Sequence, residues 1–159
     1  MLMLLRHGKS DWNESGTDHQ RPLAPRGVKA SRRIGRFIAD GDLAPQLTLS
    51  STALRARSTA ELVIEAGGFD CPLELTDALY EASVDDALGV IRAVPDNVSR
   101  LLVAGHEPTT SMLAATLIGG GRLRVVTATL VGLEVHLPWS RLAAGFAELR
   151  FFVPPRLLS

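Results

Sequence analysis

Met1-Leu2-Met3-Leu4-Leu5-Arg6-His7-Gly8 opens the chain. Five consecutive apolar residues stop at a cation, an imidazole and a glycine. That is the pattern of a buried strand delivering two functional side chains onto a loop. The apolar run is too short for the hydrophobic part of a secretion signal or for a membrane span. Each later segment can be tested for whether it returns to this point.

From Lys9 to Pro25 the sequence is polar and rich in Gly, Asp, Asn and Pro, with no helical or strand periodicity, so a long surface loop is expected beside the end of the first strand. Pro25 suits a helix start, and Val28, Ile34, Phe37 and Ile38 form an apolar stripe that predicts a helix to Ala39, ended by Gly41. Lys29, Arg32, Arg33 and Arg36 lie on its other face, read as solvated. Pro45–Ser50 alternates as a second strand. Ser51, Thr52 and Ala53 then lead into a helix from Leu54 to Ala66, closed by Gly67-Gly68. Arg55 therefore falls in the first turn of a helix that follows a strand, where free N–H groups and the helix dipole favour anions.

Leu73–Thr76 reads as a third strand, residues 78–83 as a loop with Tyr80 and Glu81, and Val84 to Ala93 as a helix ending before Pro95. Arg100–Ala104 is too continuously apolar to have a wet face, which predicts a central strand. It ends at Gly105-His106-Glu107-Pro108. Thr109 or Thr110 is expected to cap a helix to Ile118, and Gly119-Gly120-Gly121 to terminate it. Residues 126–137 and 147–153 are β-rich with too short a connection for a crossover helix, so they complete the sheet as antiparallel or edge strands. Four strand-then-helix units in succession predict a single domain over 1–159, a three-layer α/β/α sandwich with a mostly parallel central sheet.

The bulk properties bound the partners. The chain has 159 residues, 46% of them hydrophobic, enough for one core. Seventeen Lys and Arg balance seventeen Asp and Glu, so the overall field is not built to hold nucleic acid or an anionic membrane, and anion binding must come from local clustering. The one cysteine, Cys71, allows no internal disulfide and no cysteine-based zinc cage. It is read as a small buried or half-buried hydrophobe, and the protein is expected to be soluble and cytoplasmic.

Three strands end in residues suited to anion chemistry: Arg6-His7-Gly8, then Arg55, then Gly105-His106. Ligands of open parallel sheets bind at the carboxyl ends of strands, where these segments can converge. Two guanidinium groups and two imidazoles suit a phosphoryl group, since Arg offers bidentate donors and keeps its charge. One imidazole can attack phosphorus, and the other can donate to the equatorial oxygens. A divalent cation would be repelled by the arginines and finds no carboxylate cluster at metal spacing, so the chemistry is expected to need no metal and no cofactor.

These motifs resemble a known family. Arg6-His7-Gly8 is similar to the signature of the histidine phosphatase superfamily, the phosphoglycerate mutase-like group. Asp18-His19-Gln20-Arg21-Pro22-Leu23 with Gly27 resembles the D-x-x-R-P-L segment of its small SixA-like phosphohistidine phosphatase branch. Residues 50–61, Leu79-Tyr80 and Gly105-His106-Glu107-Pro108 resemble further motifs of that branch, in family order and over nearly the whole chain. The resemblance implies a phosphoglycerate mutase-like fold, with His7 as a transiently phosphorylated nucleophile. It also implies that Arg6, Arg55 and His106 bind phosphate, and it places Arg21 at the pocket edge. Thr52, Ser58 and Glu107 depart from the family pattern. Glu107 is expected to orient His106, or to raise its pKa, or else to point to solvent.

Larger members of the family use a carboxylic acid to protonate the leaving group, and the candidate proton donors here are Asp18 and Glu81. The SixA-like branch lacks the usual acid position. A phosphohistidine imidazole leaves as a neutral base once protonated, whereas an alkoxide needs acid help, so a weak acid tilts the choice toward P–N bonds. The expected partner is a phosphorylated protein carrying phosphohistidine. A small phosphorylated metabolite, handled by a phosphomonoesterase or mutase, is the alternative, and a non-catalytic phosphate-binding module is the third reading.

Overall fold

The computed structural model describes residues 1–13 and 15–159. In chain order its elements are β1 (Leu2–Arg6), α1 (Pro25–Asp40), β2 (Leu47–Ser51), α2 (Leu54–Gly67), β3 (Leu73–Thr76), α3 (Val84–Arg92), β4 (Leu101–Gly105), α4 (Thr109–Leu117), β5 (Leu130–Val135) and β6 (Ala147–Val153). The six strands form one sheet in the order β3-β2-β4-β1-β5-β6. The first four strands of the chain are mutually parallel, while β5 runs antiparallel to β1 and β6 antiparallel to β5. The predicted α/β sandwich and its antiparallel completion are both present.

The apolar run of β1 feeds two cores because successive side chains point to opposite faces. Met3 and Leu5 pack with Ile34 and Ile38 of α1 and Val63 of α2. Leu2 and Leu4 pack with Leu88 and Ile91 of α3 and Leu113 and Leu117 of α4. Most of these side chains are fully buried, each worth about 1.5–3 kcal/mol relative to exposure. Helices α1 and α2 approach closely because Gly35 has no side chain: a Cβ there would stand 2.4 Å from the Val63 carbonyl oxygen. Of the predicted stripe on α1, Ile34 and Ile38 are buried, whereas Val28 and Phe37 are half-buried. The basic face is solvated, with Lys29, Arg32 and Arg36 exposed.

Several expectations are corrected. The loop before α1 is not featureless: Asp18–Gln20 forms a 3-10 turn, and Ser10 bridges to Leu23. Asp77–Leu79 forms another such turn where a loop was expected, because the Thr76 side chain accepts from the Ala78 N–H. Neither Thr109 nor Thr110 caps α4, whose N-cap is Pro108. The Thr110 hydroxyl instead donates to the His106 carbonyl (2.9 Å) and the Thr109 hydroxyl to that of Ala82. Strand β5 begins at Leu130 rather than Val126 because Ala128, at φ 59°, turns back to donate to the backbone at the end of β1. Cys71 is half-buried as expected.

Candidate active site

Strands β2, β4 and β1 are neighbours and parallel, so segments separated by dozens of residues end side by side. Register pairs Arg6 with Gly105 and Ser50 with Ala104. Backbone bonds fix the turn beyond β1: the His7 N–H donates to the Gly105 carbonyl (3.0 Å), and the Ala128 N–H reaches the carbonyls of both Arg6 (3.1 Å) and His7 (3.0 Å). The Gly8 N–H donates to the Thr59 hydroxyl (2.9 Å), which itself donates to the Arg55 carbonyl (2.7 Å). That relay ties the His7 loop to the first turn of α2.

His7 and His106 meet with ring centroids 5.2 Å apart and planes tilted by 56°. The His7 Nδ1 lies 2.7 Å from the Gly8 carbonyl oxygen. A carbonyl only accepts, so Nδ1 carries the proton and the lone pair is left on Nε2. Burial, followed by the charges of Arg55, Arg6 and Arg21, lowers the His7 pKa to about 4 despite the opposing bond to Gly8. His106 is pushed down to about 3 by burial first, then by His7, Arg55, His19 and Arg6. Both imidazoles are therefore neutral at neutral pH. The His106 Nε2 pairs with the Ser51 hydroxyl at 2.8 Å.

The cations surround this pair. Arg6 donates through Nη1 to the Val125 carbonyl (2.8 Å). Arg55, buried at 7% exposure, donates to the Asp18 carbonyl (2.6 Å) and to Asp18 Oδ2 (3.0 Å). The same carboxylate accepts from Arg21 and from the Tyr80 hydroxyl (2.9 Å). The Arg21 guanidinium lies 3.6 Å above the centroid of the Trp12 ring. Four buried nitrogens in this region have no hydrogen-bond partner among the described residues: Arg6 Nε, Arg21 Nε and Nη1, and His106 Nδ1.

The structure thus brings together Arg6, His7, Asp18, Arg21, Arg55 and His106. Glu81 is exposed, adopts φ 50° and makes no hydrogen bond among the described residues, although its charge acts on Arg55. Glu107 neither orients His106 nor points freely to solvent. Its carboxylate accepts from the Ser111 N–H (2.9 Å) and hydroxyl (2.7 Å), so it caps α4. Ser51 and Thr59 were not singled out by sequence reasoning, and neither was His19, whose ring meets Tyr80 edge-on at 4.9 Å and whose Nε2 reaches the Thr52 hydroxyl at 2.9 Å. Spacing from β2 could have flagged Ser51, but nothing in the sequence marks His19. Among the described residues no three His, Cys, Asp or Glu side chains gather as a metal ion would require, and no helix is long and apolar enough to cross a membrane.

A three-layer fold with an Arg-His-Gly turn, a helix-borne arginine and a second histidine at the carboxyl ends of its inner parallel strands defines a class, and sequence comparison agrees. Residues 2–111 match the family of the histidine phosphatase superfamily (branch 1), and the chain belongs to it. Among its relatives, an uncharacterized protein of Mycobacterium tuberculosis is 37% identical over 162 residues, spanning 96% of this chain and all of the other. A structure assigned as the phosphohistidine phosphatase SixA of Nakamurella multipartitia superposes with a TM-score of 0.86 at 31% identity, covering 97% of this chain and 95% of that one. The 2,3-bisphosphoglycerate-dependent phosphoglycerate mutase of Thermobifida fusca is 37% identical over 70 residues, which is 42% of this chain and 28% of the mutase.

Proposed function

We propose that this protein is a phosphohistidine phosphatase that works through a phosphorylated His7, with a phosphorylated protein as substrate. The observation that carries the reading is the set of unpartnered buried donors on Arg6, Arg21 and His106 around a histidine whose lone pair is free. A phosphoryl group would satisfy those donors, because its oxygens accept from guanidinium and imidazole N–H groups. In the first step the His7 Nε2–P bond forms as the substrate P–N bond breaks, and the leaving imidazole keeps the electron pair and holds one proton. Water then attacks phosphorus, returning the electron pair to Nε2 and releasing inorganic phosphate. Arg6 and Arg55 counter the phosphoryl charge throughout, with Arg21 at the edge. His106 donates from Nδ1 when Ser51 donates to its Nε2, and that bond tightens as charge shifts onto the equatorial oxygens.

The carboxylates bear on the substrate. Asp18 accepts from two guanidinium groups and a phenol, the surroundings of an ionised carboxylate rather than of an acid about to give up a proton. Glu81 is exposed and makes no hydrogen bond among the described residues. Neither is held as a proton donor, which favours a leaving group that departs as a neutral base. The family likeness to SixA points the same way. A small-molecule phosphomonoesterase or mutase is the second reading, and the partial likeness to a phosphoglycerate mutase favours it.

Incubation with a radiolabelled phosphoramidate and rapid denaturation should leave acid-labile label on His7, and a His7→Ala variant with full activity would end the mechanism. Turnover of phosphohistidine proteins, phosphoramidates and phosphate esters, compared side by side, separates the two substrate readings.

A further inference from the structure

Positive and negative charges balance over the chain, but not everywhere on its surface. Arg122, Arg124 and Arg156 are all exposed and line one groove with Val126, Phe152 and Pro154. Among the described residues none of the three arginines has a carboxylate within ion-pair distance. Three guanidinium groups without carboxylate partners over an apolar floor are complementary to an anionic occupant that also offers apolar surface.

Register places this groove at the edge of the sheet that carries His7. Leu5 pairs with Leu130 across β1 and β5, and Leu130 pairs with Val153 across β5 and β6. Phe152 and Pro154 therefore flank the sheet end two strands over from the Arg6-His7 turn, about 10 Å away at the usual strand spacing. The segment that supplies Arg122 and Arg124 also walls the pocket, since the Val125 carbonyl accepts from Arg6.

We propose that this groove docks an extended acidic segment of the phosphorylated protein whose phosphohistidine enters the His7 pocket. The proposal rests on the phosphohistidine reading and adds what flanks the modified residue. An extended chain covers about 3.3 Å per residue, so acidic side chains three or four residues from the phosphohistidine reach the arginines. Alternate apolar side chains of such a segment fall toward Phe152, Val126 and Pro154. Exposed charges of this kind steer encounter and set salt dependence, so the effect belongs in KM rather than in the chemical step.

The test measures binding and turnover separately. Fluorescence anisotropy with a labelled oligo-glutamate peptide should show salt-sensitive binding to the full chain, weakened about tenfold by combined Arg122→Gln, Arg124→Gln and Arg156→Gln substitutions. The charge-keeping Lys triple variant should retain most of that binding, and kcat on a small phosphoramidate should be unchanged in both variants. Binding that survives the Gln substitutions overturns the groove. So does equal binding of an oligo-glutamine peptide, and so does much tighter binding of an oligonucleotide, which would make the surface a nucleic-acid site. Because peptide binding needs no turnover, failure of the phosphatase reading would appear as absent hydrolysis with peptide binding intact.

Discussion

The Asp18 carboxylate sits against the guanidinium of Arg55, Oδ2 to Nη2 at 3.0 Å, while Arg21 and Tyr80 hold its two oxygens from other sides. Donors that an incoming phosphoryl group would use are thus engaged by an internal anion. On the proposed mechanism, substrate would compete with Asp18 for Arg55 or share it. Asp18→Asn removes the competing charge, so vanadate and inorganic phosphate should inhibit turnover about three- to tenfold more tightly, the scale of a half-exposed ion pair. Weaker inhibition in that variant would show that Asp18 presents Arg55 rather than competes for it.

Ser51 sets what His106 can donate. The hydroxyl also accepts from the Ala53 N–H at 3.2 Å, which leaves its own proton free for His106 Nε2. Ser51→Ala should therefore scramble the imidazole tautomer and cut kcat/KM on a phosphoramidate about tenfold, and His106→Ala about a hundredfold or more. A Ser51→Thr variant should recover most of the loss. If Ser51→Ala changed thermal stability but left kcat/KM alone, the hydroxyl would be a packing group only.

The acid limb of activity and that of stability should differ. His7 is neutral down to about pH 4 in the free enzyme, so the lone pair on Nε2 survives well below pH 6.5 and kcat/KM should fall only as pH approaches 4. Stability responds earlier. Both histidines have folded pKa values below the unfolded value of 6.5, about 4 and about 3, so between those values the unfolded chain binds protons that the folded chain refuses. Their contribution is intact above pH 6.5 and is lost as pH falls, to about 4 for His7 and about 3 for His106. Denaturant midpoints measured from pH 7 to pH 4 should decline over the range in which kcat/KM stays level. A midpoint that rose on acidification would contradict the neutral, buried imidazoles.

Much of this was legible in the sequence because it is written in period and punctuation. The apolar run of β1, the glycines after α2 and the unbroken hydrophobicity of β4 each express a local rule, and the elements lie within a few residues of expectation. Arg6, His7, Arg55 and His106 could be grouped because each lies at or shortly after the carboxyl end of a strand, and a parallel sheet brings those ends together. The remainder depended on the third dimension. Asp18 binds Arg55 across 37 residues of chain, and no spacing encodes that. Glu107 sits beside His106 in sequence, but its carboxylate goes to Ser111 one helical turn on, so adjacency misled. His19 meets Tyr80 through a 3-10 turn that its own polar sequence does not announce.

Gly27 separates folding from positioning. It lies in the first turn of α1, yet a Cβ there would stand 2.3 Å from the Lys9 carbonyl oxygen and 2.8 Å from the Lys9 nitrogen, both backbone atoms that cannot swing aside. Lys9 follows the His7-Gly8 turn, and the Ala24 N–H donates to that same Lys9 carbonyl at 2.8 Å. Gly27→Ala must therefore push the loop off α1 and move the segment carrying His7. The overpacking should cost about 1–3 kcal/mol of stability and also lower kcat. Gly35→Ala, which would crowd the Val63 carbonyl between α1 and α2 at 2.4 Å, should cost a similar amount of stability but leave kcat and KM near wild type below its melting transition. Chemical denaturation and steady-state kinetics of the two variants make the comparison. Equal kinetic losses would mean that α1 packing as a whole, rather than the contact at Lys9, holds His7 in place.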